Sequence, residues 1–247
     1  MFCAIDFGTS NSAIAAPTAA GPLSLVPLEA GELTMPTAVF YRAEGREAEA
    51  AGREFGRAAI AAYVDGVEGR LMRSMKSLLG STLIDQTTEV GGGRAVSYLS
   101  VLSGYLQHLR RTAESQRGVR LEQAVIGRPV FFVDDDPQRD AAAQAALEVA
   151  AQQAGFAQVQ FQYEPIAAAF DHEQSLAAEQ CVLVADIGGG TSDFAVVRVG
   201  PGRADRPDRR DDILAHHGVH IAGTDFDRRI GLEAVMPAFG YRALGPA

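Results

Sequence analysis

Short apolar runs bounded by glycine, proline and aspartate recur along the chain and predict strands, while longer stretches with helical spacing lie between them. The first run, Phe2-Cys3-Ala4-Ile5, meets a turn at Asp6-Phe7-Gly8-Thr9-Ser10-Asn11 and resumes over residues 12–16. A third run covers residues 23–28 after a Gly-Pro turn, and Met35-Pro36-Thr37-Ala38-Val39-Phe40-Tyr41 predicts another strand. Residues 53–63 predict a helix. Between Tyr98 and Leu109 the apolar residues fall at 98, 101, 102, 105, 106 and 109, one buried face of a helix. Asp136 suits an N-cap, Pro137 the first helical position and Gly155 a stop, so residues 137–154 predict an alanine-rich helix that reads as packed scaffold. Residues 124–127 and 159–161 are strand-like, and Glu164-Pro165-Ile166-Ala167-Ala168-Ala169 begins a tightly packed helix. Cys181-Val182-Leu183-Val184-Ala185 is the most strand-like run of all. It ends in Asp186-Ile187-Gly188-Gly189-Gly190-Thr191-Ser192-Asp193 and restarts over residues 194–199. Residues 203–212 are dense in both charges and predict a solvated hairpin loop. Residues 213–221 predict a strand, and Gly223-Thr224-Asp225 opens a final helix.

Within this pattern lies an internal repeat. Ala4-Ile5-Asp6-Phe7-Gly8, followed by Thr9-Ser10-Asn11, parallels Ala185-Asp186-Ile187-Gly188, followed by Thr191-Ser192-Asp193, with two additional glycines in the second copy. Each copy is strand, aspartate, glycine turn, hydroxyl pair, strand. A spacing of about 180 residues implies two related domains facing one another and not a short-period solenoid.

Composition narrows the picture. At 247 residues and 47% hydrophobic, the chain can bury the core of one large domain or two smaller ones. The net charge of −9 argues against a nucleic-acid partner, which needs a basic face. No apolar run is long enough to span a bilayer, so no membrane partner is expected. The N-terminus has no basic n-region and its apolar start is broken at Asp6, which argues against a signal peptide and for the cytoplasm. Cys3 and Cys181 both sit in strand-like runs and read as buried thiols. Of 22 lysine and arginine residues only one, Lys76, is a lysine. Lysine is a compact point charge on a flexible stem, suited to meeting a phosphate or an attacking water.

The two hairpins carry the candidate chemistry. Glycine turns let backbone N–H groups approach phosphate oxygens, and threonine and serine hydroxyls add donors. The aspartate that ends each strand would repel a phosphate unless Mg²⁺, bound largely through waters, lies with it. Either hairpin alone reads equally well as an ordinary turn. The matched pair reads as a clamp on a polyphosphate and its metal.

Ile5-Asp6-Phe7-Gly8-Thr9-Ser10-Asn11-Ser12 resembles the first phosphate motif of the DnaK-type heat shock protein 70 chaperones, and Asp186-Ile187-Gly188-Gly189-Gly190-Thr191-Ser192-Asp193 resembles their second. Tyr163-Glu164-Pro165-Ile166-Ala167-Ala168-Ala169 is similar to their hinge-crossing motif, Met75-Lys76-Ser77-Leu78-Leu79-Gly80 to the segment carrying their catalytic lysine, and His220-Ile221-Ala222-Gly223-Thr224-Asp225-Phe226-Asp227 to their later glycine turn. Ala124-Val125-Ile126-Gly127-Arg128-Pro129 and Phe161-Gln162-Tyr163-Glu164-Pro165 look closest to the YegD-like branch, which keeps the ATPase and lacks the usual peptide-binding domain. The resemblance implies an α/β, actin-like ATPase fold with duplicated ribonuclease-H-like domains, the second incomplete. Domain I would span residues 1–175, with an inserted subdomain at about 35–98, and a partial domain II residues 176–247.

The resemblance also implies ATP or ADP and Mg²⁺ as ligands, with client proteins or co-chaperones as partners. Asp6 and Asp186 would hold the hydrated Mg²⁺. Gly8, Thr9, Ser10, Asn11, Gly188, Gly189, Gly190, Thr191 and Gly223 would bind the nucleotide. Lys76, Glu164 and Asp193 would be catalytic, in a phosphoryl transfer that rests on positioning and charge stabilisation. Ser10 stands where the family usually has threonine, and Ala222 replaces the first glycine of the later turn, which puts close backbone approach there in question. The family's adenosine-binding motif and the outer lobe of domain II are expected beyond Ala247, so base recognition is expected outside this chain. Two other readings stay open: an actin-like filament-forming ATPase, and a small-molecule kinase of the same superfamily. His216, His217 and His220 have no acidic or cysteine partner at ligand spacing, and Gly91-Gly92-Gly93 reads as a flexible loop.

Overall fold

Alternation along the first strand sets the architecture of the N-terminal unit: Cys3, Ile5 and Phe7 are buried while Phe2 and Asp6 are exposed. The computed structural model describes residues 1–43, 52–91, 93–203, 205–206, 208–219, 221–243 and 245. The chain divides into two units, Met1–Ala168 and Ala169–Ala247. The first half of unit 1 comprises β1 (Phe2–Phe7), β2 (Asn11–Pro17), β3 (Leu23–Leu25), β4 (Met35–Pro36), β5 (Ala38–Arg42), β6 (Arg53–Phe55), α1 (Gly56–Val64) and β7 (Gly69–Arg73). There follow β8 (Thr87–Glu89), β9 (Ala95–Ser97), α2 (Tyr98–Arg117), β10 (Gln123–Arg128), α3 (Pro137–Gln153), β11 (Gln158–Tyr163) and the start of α4 (Glu164–Glu173).

The main sheet runs β11-β10-β1-β2-β3, with β4 also paired to β2. β1 is parallel to β10, and β10 to β11, whereas β2 turns back antiparallel beside β1. The parallel pairs need crossovers, and α2 and α3 supply them. Ser97 caps α2 by accepting the Ser100 N–H at 3.1 Å, and Asp136 caps α3 by accepting the Arg139 N–H at 3.1 Å. α3 ends where Arg110 reaches over from α2 and donates to the Ala154 carbonyl at 2.8 Å. Leu102, Tyr105, Leu106 and Leu109 of α2 and Ala143, Leu147, Ala150 and Ala151 of α3 join the strands in one core. Tyr105 is fully buried, and its single hydroxyl proton faces the carbonyls of Met35 at 3.2 Å and Pro36 at 3.1 Å. A smaller sheet, β6-β5-β7, is covered by Ala59 and Ala62 of α1, and β8 pairs with β9.

Unit 2 begins with the end of α4 and contains an antiparallel sheet of β12 (Gln180–Ile187), β13 (Ser192–Val199) and β14 (Ile213–Val219), then α5 (Gly223–Ile230). Within this unit β12 is an edge strand.

Four expectations are corrected here. Residues 53–55 are not helical: they form β6, paired with β5, and the Phe55 ring stacks on His108 with centroids 4.2 Å apart. Residues 35–41 are not one strand, because Thr37 turns out of the ladder to bond elsewhere. Cys3 is buried as expected, and burial pushes its thiol up to about 12, but Cys181 is exposed because it lies on the edge strand β12. The charged stretch 203–212 is not simply solvated. Arg209 forms two parallel bonds to Glu173, each 3.0 Å, and also meets Asp212, which in turn meets Arg203; Arg203 donates to Glu179 at 2.7 Å. Arg209, Asp212 and Glu173 are all buried, so the charges neutralise one another out of water.

Candidate functional site

In unit 1, β1 and β2 are closed by the pair Phe7–Ser12, which leaves a four-residue loop, Gly8-Thr9-Ser10-Asn11. In unit 2, β12 and β13 are closed by Ile187–Ser192, which leaves Gly188-Gly189-Gly190-Thr191. The two loops are therefore equal in length, and each position of the first has its counterpart at its own number plus 180. The two extra glycines expected in the second copy do not exist. By strand register Gly189 and Gly190 occupy in the second loop the positions that Thr9 and Ser10 occupy in the first.

Gly8 cannot carry a side chain: a Cβ there would lie 2.2 Å from the Asn11 carbonyl oxygen. Its counterpart Gly188 donates its N–H to the Thr191 carbonyl at 2.9 Å. Each loop is then backed by a threonine. Thr37, leaving the ladder between β4 and β5, donates its hydroxyl to the Gly8 carbonyl at 2.8 Å and its N–H to the Ser10 carbonyl at 2.9 Å. In unit 2, Thr224 donates both its N–H, at 3.0 Å, and its hydroxyl, at 2.6 Å, to the Gly189 carbonyl. Gly223 donates to the Gly188 carbonyl at 3.0 Å, so the later turn does approach the loop closely despite Ala222, which is itself fully buried. The serines of the two closing pairs are equivalent anchors. Ser12 Oγ lies 2.9 Å from Thr37 Oγ1, and Ser192 Oγ donates to the Ile221 carbonyl at 2.7 Å.

These bonds fix where the N–H groups point. The peptides are trans, and in a trans peptide C=O and N–H point opposite ways. With the carbonyls of Gly8, Gly188 and Gly189 turned to the scaffold, the N–H groups of Thr9, Gly189 and Gly190 are directed away from it. Each loop so presents donors on one side, the arrangement that receives anions.

Asp6 and Asp186 are each the last residue but one of their strands, which run on to Phe7 and Ile187, and both are exposed. Asp186 stands directly opposite Asp193 across β12–β13. Two carboxylates in that relation repel unless a cation or donors intervene. Thr191 supplies one donor, its hydroxyl bonding Asp193 Oδ2 at 2.9 Å. On the other side β14 places Gly218 opposite Asp193, and a Cβ at 218 would come within 2.7 Å of Asp193 Oδ1.

Lys76 lies in a short 3-10 turn, Met75–Leu78, entered through Ser74 in the left-handed region at φ 57° and anchored by buried Met75. Its Nζ donates to Glu164 Oε1 at 2.7 Å, with both side chains largely shielded from solvent. The structure thus brings together, within unit 1, two residues 88 apart in sequence that were each singled out for catalysis. Among the described residues no group of three or more His, Cys, Asp or Glu is placed to hold a metal directly; His220 and Gly92 lie outside them. Sequence reasoning missed Thr37, Ser12, Thr224 and Gly218 as supports. A threonine inside an apolar run is the only signal Thr37 gives.

The description of Hsp70 protein matches residues 2–239 of the chain. Over 240 residues the chain is 32% identical to the chaperone protein HscA homolog of Pseudomonas aeruginosa strain LESB58, and equally to that of strain PAO1. The match takes in 92% of this chain and 36% of each relative, so the chain spans just over a third of their length.

Proposed function

The chain belongs to the Hsp70 family, and from that premise we propose that it supplies the phosphate-binding and catalytic residues of a Mg²⁺-dependent, chaperone-type ATPase. The observation that carries this reading is the pair of equal-length hairpin loops, each with carbonyls taken up by its scaffold and N–H groups turned the other way. Mg²⁺ suits the donor set: Asp6, and Asp186 standing opposite Asp193, are hard carboxylate oxygens. The ion would neutralise phosphate charge.

The chain's residues divide the work. Gly8, Thr9, Ser10 and Asn11, and Gly188, Gly189, Gly190 and Thr191, grip phosphate oxygens through backbone and hydroxyl donors, with Gly223 fixing the second loop. Asp6 and Asp186 hold the metal through its waters. Lys76 brings a point charge to the phosphate being transferred, and Glu164 holds that ammonium in place while orienting the attacking water. Asp193, steadied by Thr191, orders the metal's water shell. Domain I at residues 1–175, with its inserted subdomain at 35–98, and part of domain II at 176–247 complete the proposal. Clients or co-chaperones as partners, and residence in the cytoplasm, belong to it as well.

The test is Lys76→Ala in the full-length protein. ATP turnover should fall by orders of magnitude, a loss of about 3 kcal/mol or more in transition-state stabilisation, while MgADP affinity measured by calorimetry is nearly preserved. Unchanged turnover would reject the assignment.

A further inference from the structure

We infer that Thr37, which no phosphate motif contains, is a positioning residue for the first loop: its hydroxyl sets the direction of the Gly8–Thr9 peptide and so aims the Thr9 N–H. This rests on the phosphate-binding reading of that loop. Thr37 is 1% exposed, so its hydroxyl has no water to turn to. A hydroxyl has one proton. The Thr37 proton goes to the Gly8 carbonyl at 2.8 Å, which makes Thr37 Oγ1 the acceptor from buried Ser12 at 2.9 Å. The Tyr105 hydroxyl adjoins the same two hydroxyls. The main chain is held at the same place, because the Thr37 N–H bonds the Ser10 carbonyl and the Tyr105 hydroxyl bonds the Met35 and Pro36 carbonyls just before it. Of the bonds from Thr37 to the loop, only the one to Gly8 depends on the side chain. Were that bond lost, the Gly8 carbonyl would be free to rotate, for glycine offers little resistance, and the Thr9 N–H would swing with it. In unit 2 the hydroxyl of Thr224 takes a loop carbonyl as well, that of Gly189, one position further along than the counterpart of Gly8.

The experiment uses the full-length protein, with MgADP and AMP as probes by calorimetry. Thr37→Val keeps shape and backbone bond but removes the hydroxyl, whereas Thr37→Ser keeps the hydroxyl. Thr37→Val should weaken MgADP about five- to twentyfold, as expected for one donor misaimed at a charged oxygen. AMP, which has no β-phosphate, should shift less than twofold, and Thr37→Ser should bind MgADP within twofold of wild type. Amide exchange over residues 8–11 should quicken in the valine variant alone. Wild-type affinity in Thr37→Val, equal losses for MgADP and AMP, or failure of Thr37→Ser to restore binding would each overturn the inference. A wild-type protein that binds no MgADP would instead remove the phosphate-binding reading beneath it. Should Thr37→Val not fold, Thr37→Ala carries the test: it removes the same hydroxyl in a smaller side chain, and MgADP should weaken at least fivefold with AMP shifting less than twofold, an unchanged MgADP affinity overturning the inference.

Discussion

Asp193 is constrained on both carboxylate oxygens, since Thr191 holds one and the bare face of Gly218 adjoins the other. Gly218 needs no special backbone conformation, so alanine there would strain nothing except that carboxylate. Gly218→Ala should rotate Asp193 off Thr191 and lower ATP turnover by roughly tenfold, equivalent to about 1.4 kcal/mol, with melting temperature and MgADP affinity little changed. Turnover at the wild-type rate would show that Asp193 is not held for catalysis. The two thiols make a second contrast at this scale. Burial raises Cys3 far from the thiolate, while Cys181 is exposed on an edge strand. Mass spectrometry after iodoacetamide treatment at mild alkaline pH should find Cys181 alkylated in the native protein and Cys3 only after denaturation.

Among the elements, the turn from β13 to β14 differs most from its sequence. Burial raises the Glu173 carboxyl, but the Arg209 bonds, the Gly200 N–H and the guanidinium charge outweigh that effect, leaving it below its ordinary value of 4.5. Depressed folded values stabilise above the unfolded value and lose that contribution as pH falls through the folded one. Stability of unit 2 should thus be constant at neutral pH and drop below about pH 4.5, with Glu173 contributing. Arg209→Met should cost on the order of 3 kcal/mol at pH 7, because buried Glu173 would keep only the Gly200 N–H and buried Asp212 only Arg203, and a urea titration measures it. This network could not be read from composition. Its partners lie 24 and 36 residues apart, and a run of mixed charges looks alike whether solvated or paired. Elements set by local spacing were legible: α2 from its apolar face, α3 from Asp136 and Pro137, and both hairpins from aspartate and glycine after a strand. The break at Thr37 and the equal loop lengths were not, because both follow from strand register, a non-local property.

For the whole chain, the distribution of core is uneven. The buried cluster running from Cys3 to Phe156 lies wholly within unit 1, whereas unit 2 buries small apolar residues such as Ala195, Val197 and Val199 and exposes Leu183, Ile187, Ile221 and Ile230. Residues 1–168 expressed alone should melt cooperatively by circular dichroism, and residues 169–247 alone should bind a hydrophobic dye and melt without a sharp transition. A broad melt for the first piece would show that its core depends on the second. The solitary lysine, shielded against Glu164, has a practical consequence. Because every other lysine-or-arginine position is arginine, an amine-selective acylating reagent has two addresses in this chain, the α-amine and Lys76. The chain therefore comes with a chemical reporter already at its proposed catalytic position, one that an N-terminal block would make singular and that occupancy by MgATP should protect.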